Sequence, residues 1–102
     1  MDLGLRDKVV VITGGSVGIG LAVAEAFAAE GANLVMVARN GERIDREAAR
    51  IADAHGVIVH GIVADVATAE GCAAVTAGCA NAFGGADILI NNAGTGSNET
   101  IQ

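Results

Sequence analysis

A short apolar run that leads directly into a glycine-rich segment sets the local fold near the N-terminus. Val9 to Ile12 is an unbroken β-branched run, and Thr13-Gly14-Gly15-Ser16-Val17-Gly18-Ile19-Gly20 follows it. Such a run is typical of a strand buried on both faces of a parallel sheet. Glycines allow the backbone to turn sharply and to approach a ligand, and the N-terminus of a following helix offers unpaired N–H groups to a phosphate. The segment therefore predicts a nucleotide-binding turn. Its Gly-x3-Gly-x-Gly pattern differs from the G-x-G-x-x-G fingerprint, because Val23 stands three residues after Gly20.

Three further apolar runs alternate with helical patterns along the chain. The pattern predicts strands and helices in alternation: strands at about 8–13, 34–38, 57–64 and 86–90, and helices at about 18–30, 42–55 and 68–83. A β-α-β-α-β-α-β sequence with right-handed crossovers predicts an α/β fold, with a parallel sheet and helices on both faces. In the dinucleotide-binding (Rossmann-like) winding, the strand order is 3-2-1-4. The 102 residues make one domain at most.

Two segments that are distant in sequence are expected to meet at one edge of this sheet. The glycine-rich turn ends the first strand, and Asn91-Asn92-Ala93-Gly94 ends the fourth. With the order 3-2-1-4, the topological switch point lies between these strands, and ligands bind there at the carboxyl ends. Both segments are therefore predicted to line a single ligand site.

Composition limits the partners and the location of the chain. The net charge of −6 argues against nucleic acid or an anionic membrane as a partner, since both require a basic face. No apolar run approaches the ~18 residues of a membrane span, and no signal segment is recognisable at the N-terminus, so a cytoplasmic protein is expected. Cys72 and Cys79 are predicted to be small core residues on one stripe of the third helix, because their spacing matches no metal motif.

The second predicted helix has an apolar stripe and a charged outer face. Glu42 precedes Arg46 by four residues, and Arg43 precedes Glu47 by four, which predicts ion pairs on a solvated surface. His55 falls on the inner stripe of this helix and is expected to be structural. His60 is expected to lie in the third strand, away from the loop ends, and to be structural as well.

Taken together, the motifs resemble the N-terminal half of the short-chain dehydrogenase/reductase family. T-G-x3-G-x-G, then Asp65-Val66 after the third strand and Asn-Asn-Ala-Gly after the fourth, occur in that order over about residues 5 to 96. The resemblance implies NAD(P) binding, and it assigns the cofactor-binding residues as a set: the diphosphate on Gly14, Ser16, Gly18, Ile19 and Gly20, the adenine edge near Asp65 and Val66, and the nicotinamide-side ribose near Asn92, Ala93 and Gly94. The alternatives are that Asp65 is a plain turn residue and that Asn91 fastens the sheet.

The end of the second strand indicates which dinucleotide is preferred. An acid at this place would accept hydrogen bonds from the adenosine ribose and favour NAD. Ala38 occupies it, followed by Arg39, whose guanidinium can pair with a 2′-phosphate, so NADP is favoured over NAD. Alternatively, Arg39 is a solvated loop charge. Val17 departs from the family, in which a polar or basic residue is usual, and cannot donate a side-chain hydrogen bond to phosphate.

Catalysis in the family depends on residues that this sequence lacks. The resemblance implies hydride transfer between a nicotinamide and a carbonyl or alcohol, with a Tyr as acid/base, a Lys four residues later and a Ser. The chain contains no Tyr, and its only Lys is Lys8, so no catalytic residue is predicted and the 102-residue chain is expected to be inactive by itself. Metal ligands are not predicted. A small-molecule substrate is expected only with the missing half, and the family suggests a homo-oligomer.

Two other functions are consistent with the residues. The chain could be a stand-alone module that binds or senses NADP without turnover. It could also be a self-associating module, because the fourth strand would have an unpaired edge and only one helix would cover the second face of the sheet.

Overall fold

The computed structural model describes residues 4–14 and 18–91. In this part of the chain, strands and helices alternate: β1 (Val9–Thr13), α1 (Gly18–Ala29), β2 (Asn33–Ala38), α2 (Gly41–His55), β3 (Val59–Val63), α3 (Ala69–Phe83) and β4 (Ile88–Asn91). The four strands form one parallel sheet in the order β3-β2-β1-β4. This confirms the predicted α/β class and the 3-2-1-4 winding.

Both outer strands begin two residues later than predicted, because side chains replace backbone groups at their starts. The N–H of Ile58 donates to Oδ1 of Asn33 at 3.0 Å instead of to a strand carbonyl. On the other side, the N–H of Val9 donates to Oδ2 of Asp87 at 2.8 Å, and the Asp87 N–H returns a bond to the Val9 carbonyl at 2.9 Å. Polar side chains thus define where β3 and β4 start.

The sheet has one apolar layer on each face. On the first face, α1 and α2 cover the even-numbered residues of β1 and β2 in a cluster of ten buried residues: Val10, Ile12, Ala24, Ala28, Ala32, Leu34, Met36, Ile44, Ala48 and Ile51. On the second face, α3 covers a smaller cluster of five: Val9, Val11, Val35, Val37 and Cys79. The alternation of β1 and β2 residues between the faces explains their unbroken apolar runs.

The orientation of α3 differs from the prediction. Cys79 is buried as expected, but Cys72 is exposed, and the prediction that both are core residues was wrong for Cys72. The side of α3 that faces the sheet includes Gly71 and Gly78. A Cβ added to Gly78 would overlap Cδ1 of Ile62 in β3. Because glycine permits this close approach, the stripe that packs on the sheet starts at Gly71 and leaves Cys72 on the outside.

The ion pairs of α2 also differ from those that the spacing predicted. Within α2, Glu47 pairs with Arg50, with 2.7 Å between Oε1 and Nε. Arg50 also reaches across to α1, where Nη1 and Nη2 donate to the two carboxylate oxygens of Glu25 at 3.2 and 3.1 Å. His55, which is partly exposed, has its Nε2 3.8 Å from Oε1 of Glu25. Glu25, Arg50 and His55 therefore connect α1 to α2 on the outer surface, and Glu47 supports Arg50 from within α2.

Within residues 4–14 and 18–91, no helix has the length and hydropathy required to cross a bilayer.

Candidate functional site

The carboxyl ends of all four strands lie side by side at one edge of the sheet. In the strand register, Thr13 at the end of β1 is paired with Val37 of β2 on one side and with Asn91 of β4 on the other. Beyond the strands, the Gly14 N–H donates to the Val37 carbonyl at 2.7 Å, and the Ala64 N–H donates to the Ala38 carbonyl at 3.1 Å. The structure thus brings the first glycine of the turn, the end of β2 and the segment after β3 into one row.

The turn after β1 contains the conformations that require glycine. Gly14 has φ 70° and Gly18 has φ 58°, a region that side-chain-bearing residues rarely adopt. An added Cβ on Gly18 would have no heavy atom of the described residues within 4 Å. Gly20 is buried in α1, whereas Ile19 is 67% exposed in the first turn of that helix. Gly18 and Ile19 are therefore accessible to a ligand, and Gly20 serves the packing of α1.

Arg39 follows β2 as an exposed side chain, beside the half-buried Ala38. Among the described residues it forms no salt bridge. The next residue, Asn40, caps α2 by accepting the Arg43 N–H on its Oδ1 at 2.9 Å. Arg39 thus directly precedes the N-cap of α2, and its side chain has no carboxylate partner in the described part of the chain.

Asp65 begins a tight turn that leads into α3. Its Oδ1 accepts the Ala67 N–H at 2.9 Å, and its carbonyl accepts both the N–H and the hydroxyl of Thr68, at 3.1 and 2.9 Å. The Val66 carbonyl accepts from the Sγ of Cys72 at 3.3 Å. Asp65 and Val66 are both half-buried. One carboxylate oxygen of Asp65 is therefore engaged in the turn.

On the other side of the site, Asn91 connects β4 to β1. The Thr13 hydroxyl donates to Oδ1 of Asn91 at 2.9 Å and lies 3.5 Å from the Ile90 carbonyl. Thr13 is buried. This contact corresponds to the sheet-fastening alternative for Asn91. The predicted site residues Ser16, Asn92, Ala93 and Gly94 lie outside the described residues.

Sequence reasoning did not assign Thr13, Thr68 or Gly71 to the site. Thr68 was expected only as the cap of the third helix, and it does cap α3, accepting the Gly71 N–H on its hydroxyl at 2.9 Å. The available signals were the position of Thr13 directly before a glycine turn and that of Thr68 three residues after Asp65. Neither signal indicates which group the hydroxyl will contact.

Polar groups from several elements follow the carboxyl ends of the strands. Gly14 follows β1 and Gly18 begins α1, the exposed Arg39 follows β2, and Asp65 and Asn91 lie at the ends of the outer strands, Asp65 two residues after β3 and Asn91 as the last residue of β4. Main-chain N–H groups and a guanidinium are suitable partners for phosphates. The described groups at this edge are thus groups that bind and orient a ligand. They lie on a parallel α/β sheet with the strand order of the dinucleotide-binding winding.

The chain belongs to the short chain dehydrogenase family, whose model matches residues 8–102. It is 56% identical to L-sorbose reductase from Gluconobacter frateurii, solved with NADPH and L-sorbose, with a TM-score of 0.92 over 99% of this chain and 38% of that one. A short-chain dehydrogenase from Sphingobium yanoikuyae in complex with NADPH is 41% identical, with a TM-score of 0.78 over 92% of this chain and 37% of that one.

A curated relative is similar over a comparable stretch. The 3-oxoacyl-acyl-carrier-protein reductase of Aquifex aeolicus is 36% identical over 94 residues, which cover 92% of this chain and 38% of that protein. The chain thus spans little more than a third of the length of these relatives. The family confirms the resemblance that the three motifs indicated.

Proposed function

We propose that the chain is the NADP(H)-binding portion of a short-chain dehydrogenase/reductase, an oxidoreductase that exchanges hydride between NADP(H) and a carbonyl or alcohol. When bound, the cofactor would supply the hydride to a carbonyl in its reduced form, or accept it from an alcohol in its oxidised form. In the proposal, the turn at Gly14 and Gly18 holds the diphosphate, together with Ser16, Ile19 and the packing glycine Gly20. Arg39 pairs with the 2′-phosphate, Asp65 and Val66 face the adenine, and Asn92 to Gly94 face the nicotinamide-side ribose.

The observation that carries the proposal is the position of Arg39. The Gly14 N–H bonds to the Val37 carbonyl at 2.7 Å, so the diphosphate turn and the residues that follow β2 are neighbours. Ala38 stands where an acid would favour NAD, and Arg39 has no salt bridge within the described residues. Two related structures contain NADPH, which supports the same preference.

Acid/base chemistry is not part of the proposal for this chain, because the sequence has no tyrosine and its only lysine precedes β1. Hydride transfer is proposed for the protein when a general acid/base is supplied by residues outside this segment. Since the Gluconobacter relative binds L-sorbose, a ketose is the first substrate class to assay in any longer form.

Titration of NADPH fluorescence tests the cofactor proposal. We expect the chain to bind NADPH about tenfold more tightly than NADH, and Arg39→Asp to abolish that difference by weakening NADPH alone. Arg46→Asp is the matched control, because Arg46 is an exposed arginine of α2 away from the β2 end. Equal affinity for the two cofactors in the wild type, or equal losses in both variants, would remove Arg39 as the determinant.

Self-association is a second candidate, favoured by Leu89. This side chain is 64% exposed on the α3 side of β4, and in the described residues β4 pairs only with β1. Apolar side chains at an unpaired strand edge promote pairing between chains. Sedimentation should then show a dimer that Leu89→Lys converts to monomer, whereas a wild-type monomer at high micromolar concentration would exclude this function.

A further inference from the structure

The turn from Asp65 to Thr68 is held in place by the first turn of α3. The Asp65 carbonyl accepts two bonds from Thr68, one from its N–H and one from its hydroxyl. The same hydroxyl accepts the Gly71 N–H at 2.9 Å. Thr68 thus joins the segment that follows β3 to the helix through one oxygen atom.

Gly71 allows this arrangement because it has no side chain. An ideal Cβ built on Gly71 would overlap the carbonyl carbon and oxygen of Asp65 and lie 3.0 Å from Oγ1 of Thr68. The Asp65 carbonyl is backbone, so it can give way only if the whole turn moves. Gly78 offers a contrast on the same helix, since its added Cβ would overlap Cδ1 of Ile62, the end of a flexible side chain.

The turn that Gly71 and Thr68 fix carries the residues assigned to the adenine edge. The N–H of Ala64, the residue before Asp65, donates to the carbonyl of Ala38, the residue before Arg39. A displacement of Asp65 would therefore change the position of Asp65 relative to Arg39. Helix formation itself does not favour glycine at this position, since a glycine inside a helix costs about 1 kcal/mol relative to alanine. The backbone contact with Asp65 is the physical reason for it.

We propose that Gly71 and Thr68 are positioning residues for the adenosine half of the dinucleotide. Gly71 leaves the space that the Asp65 carbonyl occupies, and the Thr68 hydroxyl holds that carbonyl against α3. The inference rests on the proposed cofactor function and extends it to two residues that do not themselves contact the ligand.

The test compares Gly71→Ala with Gly78→Ala, using NADPH and adenosine 2′,5′-bisphosphate as probes. We expect Gly71→Ala to raise the Kd of both probes about tenfold, the change that the loss of one or two hydrogen bonds produces. Gly78→Ala should leave both values within about twofold, because Ile62 can change rotamer. Equal losses in the two variants, or no loss in Gly71→Ala, would overturn the inference.

Thr68 gives a second test that does not depend on the folding of Gly71→Ala. Thr68→Val keeps the shape but removes the hydroxyl, and should weaken both probes about fivefold. Thr68→Ser keeps the hydroxyl and should restore wild-type affinity. Wild-type affinity in Thr68→Val would contradict the role of the hydroxyl. A wild type that binds neither NADPH nor NADH would refute the proposed function itself. Tight binding in the wild type that these variants leave unchanged would refute only the positioning role of Gly71 and Thr68.

Discussion

The two faces of the sheet are built differently. On the first face, α1 and α2 enclose large aliphatic side chains such as Leu34, Met36 and Ile51, all fully buried. On the second face, α3 approaches closely through Gly71 and Gly78, and the buried layer consists of four valines and Cys79. Apolar burial is the main favourable contribution to folding. The first face buries the larger apolar layer and is therefore expected to contribute more to the free energy of unfolding, while the second face holds the turn at Asp65.

The two neighbours of β1 show a related difference. β2 is joined to β1 along five residue pairs and is covered on both faces. β4 is shorter, and polar side chains fasten both its ends to β1: Asp87 bonds to Val9 at the start, and Asn91 bonds to Thr13 at the end. Side-chain hydrogen bonds at its two ends thus hold β4 against β1, and β4 is the strand that leads to the nicotinamide side of the proposed site.

The largest effect should come from matched truncations on the two faces. Ile51 is fully buried against the first layer, whereas Ile62 is partly buried beside α3. Ile51→Ala should lower the free energy of unfolding by about 3 to 4 kcal/mol, and Ile62→Ala by less than about half of that. Urea denaturation measures both. A loss in Ile62→Ala equal to that in Ile51→Ala would mean that the second face contributes as much as the first.

A smaller effect is expected where β4 begins. Asp87→Ala removes the acceptor of the Val9 N–H, which is nearly buried, and should cost about 1 to 2 kcal/mol of unfolding free energy. Asp87→Asn retains an acceptor oxygen and should recover most of this loss. Amide hydrogen exchange at Val9 should accelerate in Asp87→Ala only. Equal exchange in the two variants would show that the side chain does not hold this end of β4.

The smallest effect is a pH dependence of the α1–α2 surface. Hydrogen bonds from Arg50 hold the pKa of Glu25 below its ordinary value of 4.5. A carboxyl whose pKa is lower in the folded than in the unfolded state stabilises the fold above the unfolded pKa, and this contribution disappears as the pH falls through the folded pKa. Because the groups are exposed, we expect Glu25→Gln to lower the melting temperature by no more than a few degrees at neutral pH.

The pH profile separates this contribution from other effects of the substitution. The difference between wild type and Glu25→Gln should shrink below about pH 4.5 and disappear in stronger acid. Glu30→Gln is the control. Glu30 directly follows the last residue of α1 and makes no ion pair among the described residues. A difference that persists in acid would assign the effect to something other than the carboxylate charge.

The strand order could be predicted from sequence, because apolar periodicity and glycine turns are local signals. Gly14, Arg39 and Asp65 follow the carboxyl ends of β1, β2 and β3, as the predicted topology requires, whereas the predicted site residues 92–94 lie outside the described part of the chain. The rotation of α3 could not be predicted, since a helix rich in alanine and glycine has little amphipathic pattern to orient it. The Glu25–Arg50 contact was also missed, because it joins residues 25 positions apart in sequence. Side-chain hydrogen bonds between elements follow from the assembled fold.

The most direct test of the dinucleotide site is amide chemical-shift mapping of the isotope-labelled chain during titration with NADPH. We expect the perturbed amides to cluster at the strand carboxyl ends, including Gly14, Gly18, Arg39, Asp65 and Asn91. Amides at the opposite edge, such as Ile58, and on the outer surface of α2, such as Arg50, should not shift. Perturbations concentrated at that opposite edge, or none at saturating NADPH, would contradict the assignment of this edge as the cofactor site.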